Sequence, residues 1–260
     1  MDEPVAALRA GAPIALSELD SRRFGIRVAR AELRADDLDP ALAWCGAQRI
    51  DLLVARLPEH ATPPAAELAR RGFERMDTLV RWTGDLSVPS RPQDAGSIDI
   101  RAARPDEAER VAALARRAFR GHVGHYHSDP RLDRTACDEV YADWAHRSSR
   151  AVGERCAVLL AERGSALVGF SVVRLGAPGT AEGVLSGVEP EYRGRGVYAA
   201  LHAARSEWCR ARGAKSLVAS AAAANAAITR CYERAGLTPS HACHTFHAWP
   251  GTMGAQGRKA

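Results

Sequence analysis

Lysine is nearly missing from this chain. Of its 36 basic residues only Lys215 and Lys259 are lysine, and the arginines that make up the rest are spread along the sequence. The formal net charge of +5 is therefore diffuse, and no basic run with interleaved aromatics offers a footprint for nucleic acid. The cysteines form no Cys-x-x-Cys pair: Cys45, Cys137, Cys156, Cys209, Cys231 and Cys243 are scattered. That argues against a zinc site or a disulfide framework and for reduced thiols. Long apolar runs are absent, and Met1-Asp2-Glu3 is acidic where a secretory leader would be basic. A soluble, cytoplasmic protein without a membrane partner is the expectation. What is present suffices for a core, since 46% of the 260 residues are hydrophobic, enough for one large domain or two small ones.

Short strands and helices alternate along the first half. Gly25 to Leu33 alternates in polarity like a strand, Pro40 to Arg49 reads as a helix, and Asp51 to Leu57 as a mostly buried strand. A helix from Pro63 to Arg71 stops at Gly72, and a strand from Phe73 to Trp82 follows. The segment from Ser87 to Ser97 has the proline, glycine and serine content of a linker. The expected division is thus an N-terminal domain at 1–90, a second domain at 97–250 and a flexible tail at 251–260. In the second half, strand 98–102 and a helix from Pro105 to Arg120 precede a polar loop, Gly121 to Leu132. A helix at 135–146 and strands at 157–162, 166–175 and 183–188 come next. A helix over 196–212, a strand over 216–220, a helix from Asn225 to Gly236 and a strand over 243–249 complete the chain.

The halves share a pattern of strand, glycine-ended helix and strand: Leu53 precedes Gly72 by 19 residues (72 − 53), and Leu217 precedes Gly236 by 19 (236 − 217). One feature is not shared. Between the strand ending at Val188 and the next helix stands Arg193-Gly194-Arg195-Gly196. Glycines that let a ligand approach the backbone, followed by the unpaired N–H groups of a helix start, form a cradle for phosphate. Phosphate chemistry is therefore expected in the second half only.

These residues resemble the GNAT superfamily of acyl-CoA-dependent N-acyltransferases. The Arg/Gln-x-x-Gly-x-Gly/Ala motif is matched by Arg193 to Val197, and the segment after it by Asn225 to Leu237; Tyr198 stands where the motif has glycine or alanine. The resemblance covers about residues 98 to 249. It implies a mixed, mainly antiparallel sheet flanked by helices, with a degenerate copy of the same fold in the N-terminal half. It further implies acetyl-CoA as co-substrate, held at Gly187, Val188, Arg193, Gly194, Arg195, Gly196, Val197 and Asn225, with Tyr232 protonating the departing thiolate. Glu18-Leu19-Asp20, Phe24-Gly25, Asp77 to Val80, His127 to Leu132, Tyr141 to Trp144 and His247-Ala248-Trp249 are similar to the dTDP-fucosamine acetyltransferase family. That similarity implies an amino-sugar acceptor, nucleotide-linked, beside the loop that carries Tyr126, His127 and Asp129.

Acyl transfer to an amine needs a neutral nucleophile, donors to the developing oxyanion and a proton for sulfur. Backbone N–H groups at Gly187 or Val188 fit the second task and Tyr232 the third, against the alternative that Tyr232 is a packing residue. For the base, Glu182 and His247 are the candidates. The alternatives are a solvated carboxylate at a strand end and a satisfied structural histidine. The histidine clusters at 122–127 and 241–247 lack a ligand pattern, so no metal is expected. The reading is a direct acetyl transfer in a ternary complex. Amines of natural products or antibiotics, protein N-termini, and a CoA sensor without turnover remain open, as does a homodimer.

Overall fold

The computed structural model describes residues 14–87 and 98–251. The linker expected at 87–97, apart from Ser87 itself, and the tail beyond Gly251 lie outside the described residues. The elements are β1 (Ile14–Leu16), α1 (Glu18–Phe24), β2 (Val28–Glu32), α2 (Leu38–Ala47), β3 (Leu52–Pro58), α3 (Ala65–Arg70) and β4 (Phe73–Asp85). After the linker come β5 (Asp99–Ala102), α4 (Ala108–Ala118), α5 (Arg134–Arg150), β6 (Cys156–Arg163), β7 (Ala166–Leu175), β8 (Thr180–Val188), α6 (Val197–Arg210), β9 (Ser216–Ala222), α7 (Ala226–Arg234) and β10 (Thr238–Ala248).

The chain forms two compact units, which are not divided at the linker. Unit 1 takes residues up to Leu79 together with 123–136 and those from His241 onward; unit 2 takes 80–122 and 137–240. The boundary falls inside β4 and β10 because each of these long strands contributes one end to each unit. In unit 1 the strand order is β1-β2-β3-β10-β4, with β1 antiparallel to β2, β2 parallel to β3 and β10 antiparallel to β3. The C-terminal part of β10 thus occupies the place between β3 and β4. Its core is Ala29, Leu33, Leu38, Leu53, Leu57 and Phe73 with Phe246 from β10. The Phe73 and Phe246 rings meet edge to face, centroids 6.5 Å apart.

Unit 2 carries β4 beside β9, then β8, β7, β6 and β5. All ladders from β5 to β8 are antiparallel, and β8 with β9 is parallel. This is the mixed, mainly antiparallel sheet expected. β6 and β7 read as near-continuous apolar runs because helices cover both faces. Val158, Leu160, Phe170 and Val172 face α4 and α5 through Val111, Leu114, Ala142 and Ala145. On the opposite face Leu159, Ala161 and Val168 meet Val197 and Leu201 of α6. The repeat is visible as β3-α3-β4 and β9-α7-β10, with Gly72 and Gly236 both left-handed after their helices, at φ 72° and 80°.

Candidate acyl donor site

The ladder between β8 and β9 is incomplete, and the site is built around its open end. Registered pairs run from Thr180↔Ser216 to Gly183↔Ala219 and stop, although β8 continues to Val188 and β9 to Ala222. A bulge lies at the same level: Val172 pairs with Leu185 but Val173 with Gly183, leaving Val184 as the extra residue of β8. A bulge bends its strand and increases its twist. From Val184 onward β8 therefore pairs only with β7, and its other edge offers backbone donors and acceptors to a third party. Gly187 lies in this free stretch, and a Cβ there would come within 2.6 Å of the Phe170 ring and 3.0 Å of Ala118. Close packing of the strand on α4 requires glycine at 187. Val188 is half-buried against β6 and β7 residues.

Beyond Val188 the chain turns through Pro190–Tyr192 into the glycine turn. Gly194 and Gly196 are left-handed, at φ 74° and 79°, and Gly196 is the N-cap of α6. Glycine adopts this conformation without the cost other residues meet. No side chain caps the first turn of α6, so the N–H groups that begin at Val197 remain for a ligand. The two arginines divide their tasks. Arg193, expected to bind phosphate through its side chain, instead donates from Nη2 to the Ala118 carbonyl at 2.5 Å and from Nε to the Val188 carbonyl at 3.3 Å. Its guanidinium ties the turn to α4 and β8. Arg195 is exposed, with its guanidinium 5.7 Å from the Tyr192 ring centroid, and Arg163 approaches the same ring at 6.0 Å. The solvent-exposed positive charge near the cradle is therefore that of Arg195 and Arg163.

Tyr232 closes the open end of the ladder from the α7 side. Asn225 caps α7, its Oδ1 accepting from the Ile228 N–H at 3.2 Å. Helical spacing then carries Tyr232 inward, where its hydroxyl donates to the Ser220 carbonyl at 3.5 Å. Ser220 is the first β9 residue past the end of the ladder. The Tyr232 ring packs against Trp82 and Tyr198, at centroid distances of 5.7 and 6.3 Å. Burial, with Tyr198 as the next contributor, lifts the phenol well above its ordinary value. Tyr232 thus carries its proton throughout the neutral range. An open strand edge, an uncapped glycine-led helix start and a protonated phenol at their junction supply the parts that thioester recognition and cleavage need.

Residues 109–237 match the Acetyltransferase (GNAT) family. The chain carries a GNAT acetyltransferase domain. The fold agrees over a longer stretch than the family match. A GCN5-related N-acetyltransferase from Sphaerobacter thermophilus superposes with a TM-score of 0.64 at 17% identity, covering 91% of this chain and 76% of that one. One from Kribbella flavida gives 0.61 at 17%, covering 94% and 89%. A tandem GNAT protein from the clavulanic acid biosynthesis pathway gives 0.57 at 18%, covering 86% and 75%. Among curated proteins, the spore coat polysaccharide biosynthesis protein SpsD of Bacillus subtilis is 25% identical over 147 residues, or 56% of this chain. The match spans 49% of that relative's length.

Other expected site residues lie apart from the open ladder of the GNAT domain. Glu182, on the paired part of β8, is held by Arg174 Nη2 at 2.7 Å. It would have to leave that ion pair to reach an ammonium. Tyr126, Asp129 and His247 belong to unit 1 and are buried there. Asp129 Oδ2 accepts from His247 Nδ1 at 2.8 Å and from Trp249 Nε1 at 3.0 Å, while Arg131 Nε donates to Oδ1 at 2.7 Å. Burial opposes ionisation of Asp129, but these hydrogen bonds outweigh it and hold the carboxyl well below its usual range. His247 Nε2 lies 3.0 Å from His125 Nδ1, within hydrogen-bond distance. Both ring nitrogens are occupied, and His247 is fully buried. These surroundings are those of a satisfied buried histidine, the alternative reading of this residue. Tyr126 accepts from Arg30 Nη2 at 2.6 Å, and burial raises its phenol. Neither Tyr126 nor Asp129 presents a polar group to solvent. His127 is half-buried, its Nδ1 accepting from the Gly124 N–H at 3.2 Å. Among the described residues no group of His, Cys, Asp and Glu is arranged to hold a metal ion.

Sequence reasoning missed Arg205 and Trp82. Both lie in the cluster around Tyr232 and Tyr198. Arg205 falls on the helical stripe of Val197, Leu201 and Cys209, all buried; a lone arginine on the apolar face of α6 was the available signal.

Proposed function

We propose that this protein transfers an acetyl group from acetyl-CoA to a primary amine of a small molecule, an amino sugar being the acceptor class of choice. The observation that carries this reading is the end of the β8–β9 ladder at Gly183↔Ala219, with the Tyr232 hydroxyl on the first β9 residue past that ladder. The pyrophosphate of CoA lies on the Gly194–Gly196 turn and the first N–H groups of α6, and Arg195 and Arg163 supply charge from solvent. The pantetheine arm runs along the free edge of β8 from Val188 toward Val184. The thioester carbonyl takes a backbone N–H of that edge, and Tyr232 gives its proton to the departing sulfur. Transfer is direct: the amine attacks the thioester carbon while both substrates are bound. Cys231, whose thiol burial raises, is no nucleophile in this scheme.

The amino-sugar acceptor rests on the similarity to SpsD, a protein of polysaccharide biosynthesis, and on the sequence resemblance to amino-sugar acetyltransferases. The test is thiol release from acetyl-CoA in the presence of a panel of amines: free amino sugars, nucleotide-linked 4-amino sugars, aminoglycosides and peptide N-termini. Release that saturates with an amino sugar, and mass spectrometry showing an added acetyl group, supports the reading. Tight acetyl-CoA binding with no release across the whole panel contradicts the amine-transfer role and leaves a CoA-binding protein.

A further inference from the structure

The face of the unit 1 sheet opposite its hydrophobic core is polar, and two polar groups buried on that side have no partner. Successive strand residues point to opposite faces. Ala29, Ala31, Ala55, Leu57, Phe246 and Ala248 go to the core, so Arg30 of β2, Arg56 of β3, and Thr245 and His247 of β10 go to the other side. Thr245 stands directly across the ladder from Arg56, and His247 from Val54. The segment 123–132, part of the same unit, reaches this face through His125 and Tyr126. His125 Nδ1 lies 3.0 Å from His247 Nε2, and the Tyr126 hydroxyl 2.6 Å from Arg30 Nη2. β4 adds Asp77, whose carboxyl interacts with Thr245, Arg56 and His247.

Thr245 is fully buried, yet its Oγ1 has no hydrogen-bond partner among the described residues, and neither has the buried Oδ1 of Asp77. Such groups lower stability, because each has given up water and gained nothing in return. Elsewhere unit 1 satisfies its buried carboxylates. Asp20 accepts from Ser17 and Arg30, and Asp129 from His247, Trp249 and Arg131. Burial raises the Asp77 carboxyl, against the pull of Thr245 and Arg56. Arg56 has the charge to neutralise Asp77, but no ion pair joins the two. A carboxylate and a guanidinium that interact without meeting leave a place between them. Arg56, Asp77 and His125 are each half-buried, so this place opens to solvent above a sealed floor of Thr245 and His247.

The unpaired groups define what fits. The Asp77 oxygen needs a donor, and a primary ammonium brings three together with the opposite charge. Arg56 only donates, so the same ligand needs an oxygen acceptor close to its nitrogen. The Thr245 hydroxyl and the Nε2 of His125, whose Nδ1 lies against His247, serve as donor or acceptor. We propose that this face of unit 1 binds a small primary amine with an oxygen acceptor on a neighbouring carbon, its ammonium on Asp77 and its oxygen on Arg56, with Thr245 and His125 completing the hydrogen bonds. Amino sugars and α-amino acids share that chemistry. The site has no residue in common with the acyl donor cradle of unit 2 and does not rest on the acyltransferase reading.

The test is a calorimetric titration of the full chain at neutral pH, without acetyl-CoA, with glucosamine and with glycine, each against its N-acetylated form. At least one of the two amines should bind. Its N-acetylated form has no ammonium and should bind about tenfold more weakly or not at all, the scale of a hydrogen bond to a charged group. The tighter of the two amines names the source, glucosamine an amino sugar and glycine an amino acid. Asp77→Asn should weaken that binding by about tenfold or more, and Thr245→Val by about threefold. Both variants should melt no lower than the parent, since Asp77→Asn removes a buried charge and Thr245→Val an unbonded hydroxyl. A merely structural role predicts a lower melting midpoint in both and no change in binding. No binding of either amine, equal binding of the N-acetylated forms, or unchanged affinity in both variants overturns the proposal; Thr245→Val decides alone if Asp77→Asn does not fold. Failure to bind acetyl-CoA in a separate titration bears on the donor site only.

Discussion

The two units place a parallel strand pair and a following helix to opposite ends. In unit 1, β2 is paired with β3 along its whole length, from Val28↔Leu52 to Glu32↔Arg56. In unit 2, the β8–β9 pair opens after Gly183↔Ala219. The connections differ in the same sense. After β2 the chain passes through Ala35–Asp37 into α2, with acidic Asp36, Asp37 and Asp39 at the helix start. The Asp37 carboxylate there accepts from the Arg34 N–H at 2.8 Å. After β8 it passes through two left-handed glycines into α6, whose first turn carries no acidic residue. The first helix start repels a phosphate, whereas the second attracts one. Their inward-facing arginines differ as well: half-buried Arg30 is neutralised by Asp20 at 2.6 Å, whereas buried Arg205 has no carboxylate partner among the described residues. The same strand–helix–strand pattern is closed and charge-balanced in unit 1 and opened in unit 2.

The contrast can be broken at the acid first. Tyr232→Phe should reduce thiol release by about a hundredfold or more, the usual range for a lost general acid, with acetyl-CoA affinity nearly unchanged in a calorimetric titration. Equal turnover would return Tyr232 to a packing role. Next, the acidic helix start of unit 1 can be transplanted. Gly196→Asp places a carboxylate at the head of α6, and Asp is among the residues that best tolerate the left-handed region. Acetyl-CoA binding should weaken by about tenfold or more, as expected for a like charge facing a phosphate, while the thermal midpoint moves little.

The closed side is tested through stability. Asp129→Asn leaves His247 and Arg131 facing a neutral amide and should cost about 3 kcal/mol, the scale for breaking a buried ion pair. Acetyl-CoA affinity per folded molecule should stay the same. The pH dependence carries the sign. Asp129 is more acidic folded than unfolded, so its contribution is complete above the unfolded value of about 3.9 and is lost as pH falls below it. His125 is held neutral, chiefly by burial; unfolding lets it take a proton below about pH 6.5, so stability begins to fall there. Denaturant melts across this range should show both steps in the parent and only the upper one in Asp129→Asn. The smallest effect is reserved for Glu182→Gln. With Arg174 already holding the carboxylate, the cost should be under about 1 kcal/mol, and thiol release should stay near the parent rate. A large loss of rate would make Glu182 the base.

Much of the element order was legible because strands and helices differ in hydrophobic period. Ala166–Leu175 and the capping role of Asn225 are read directly from residue type and spacing. Helix α1 was not, since its seven residues are mostly polar and its one buried side chain, Asp20, is a charge. The early start of β10 was hidden by Thr238-Pro239, a pair that reads as a turn. The cradle was legible in Arg193 to Gly196, but the direction of the Arg193 side chain depends on the Ala118 carbonyl, 75 residues away in sequence. The open ladder was not legible at all. It arises from a register shift at Val172 and Val173, and nothing in a strand's own alternation records where its neighbour stops. For the same reason His247 suggested a base from its chemistry, whereas its two partners in space, Asp129 and His125, lie 118 and 122 residues away in sequence.

The contrast between the units implies one donor site per chain, in unit 2. A calorimetric titration of the full chain with acetyl-CoA, repeated with Gly196→Asp, tests it most directly. One molecule should bind per chain with micromolar affinity, about −8 kcal/mol, and binding should weaken markedly in the variant. No binding, two equivalent sites per chain, or full affinity in Gly196→Asp would contradict it.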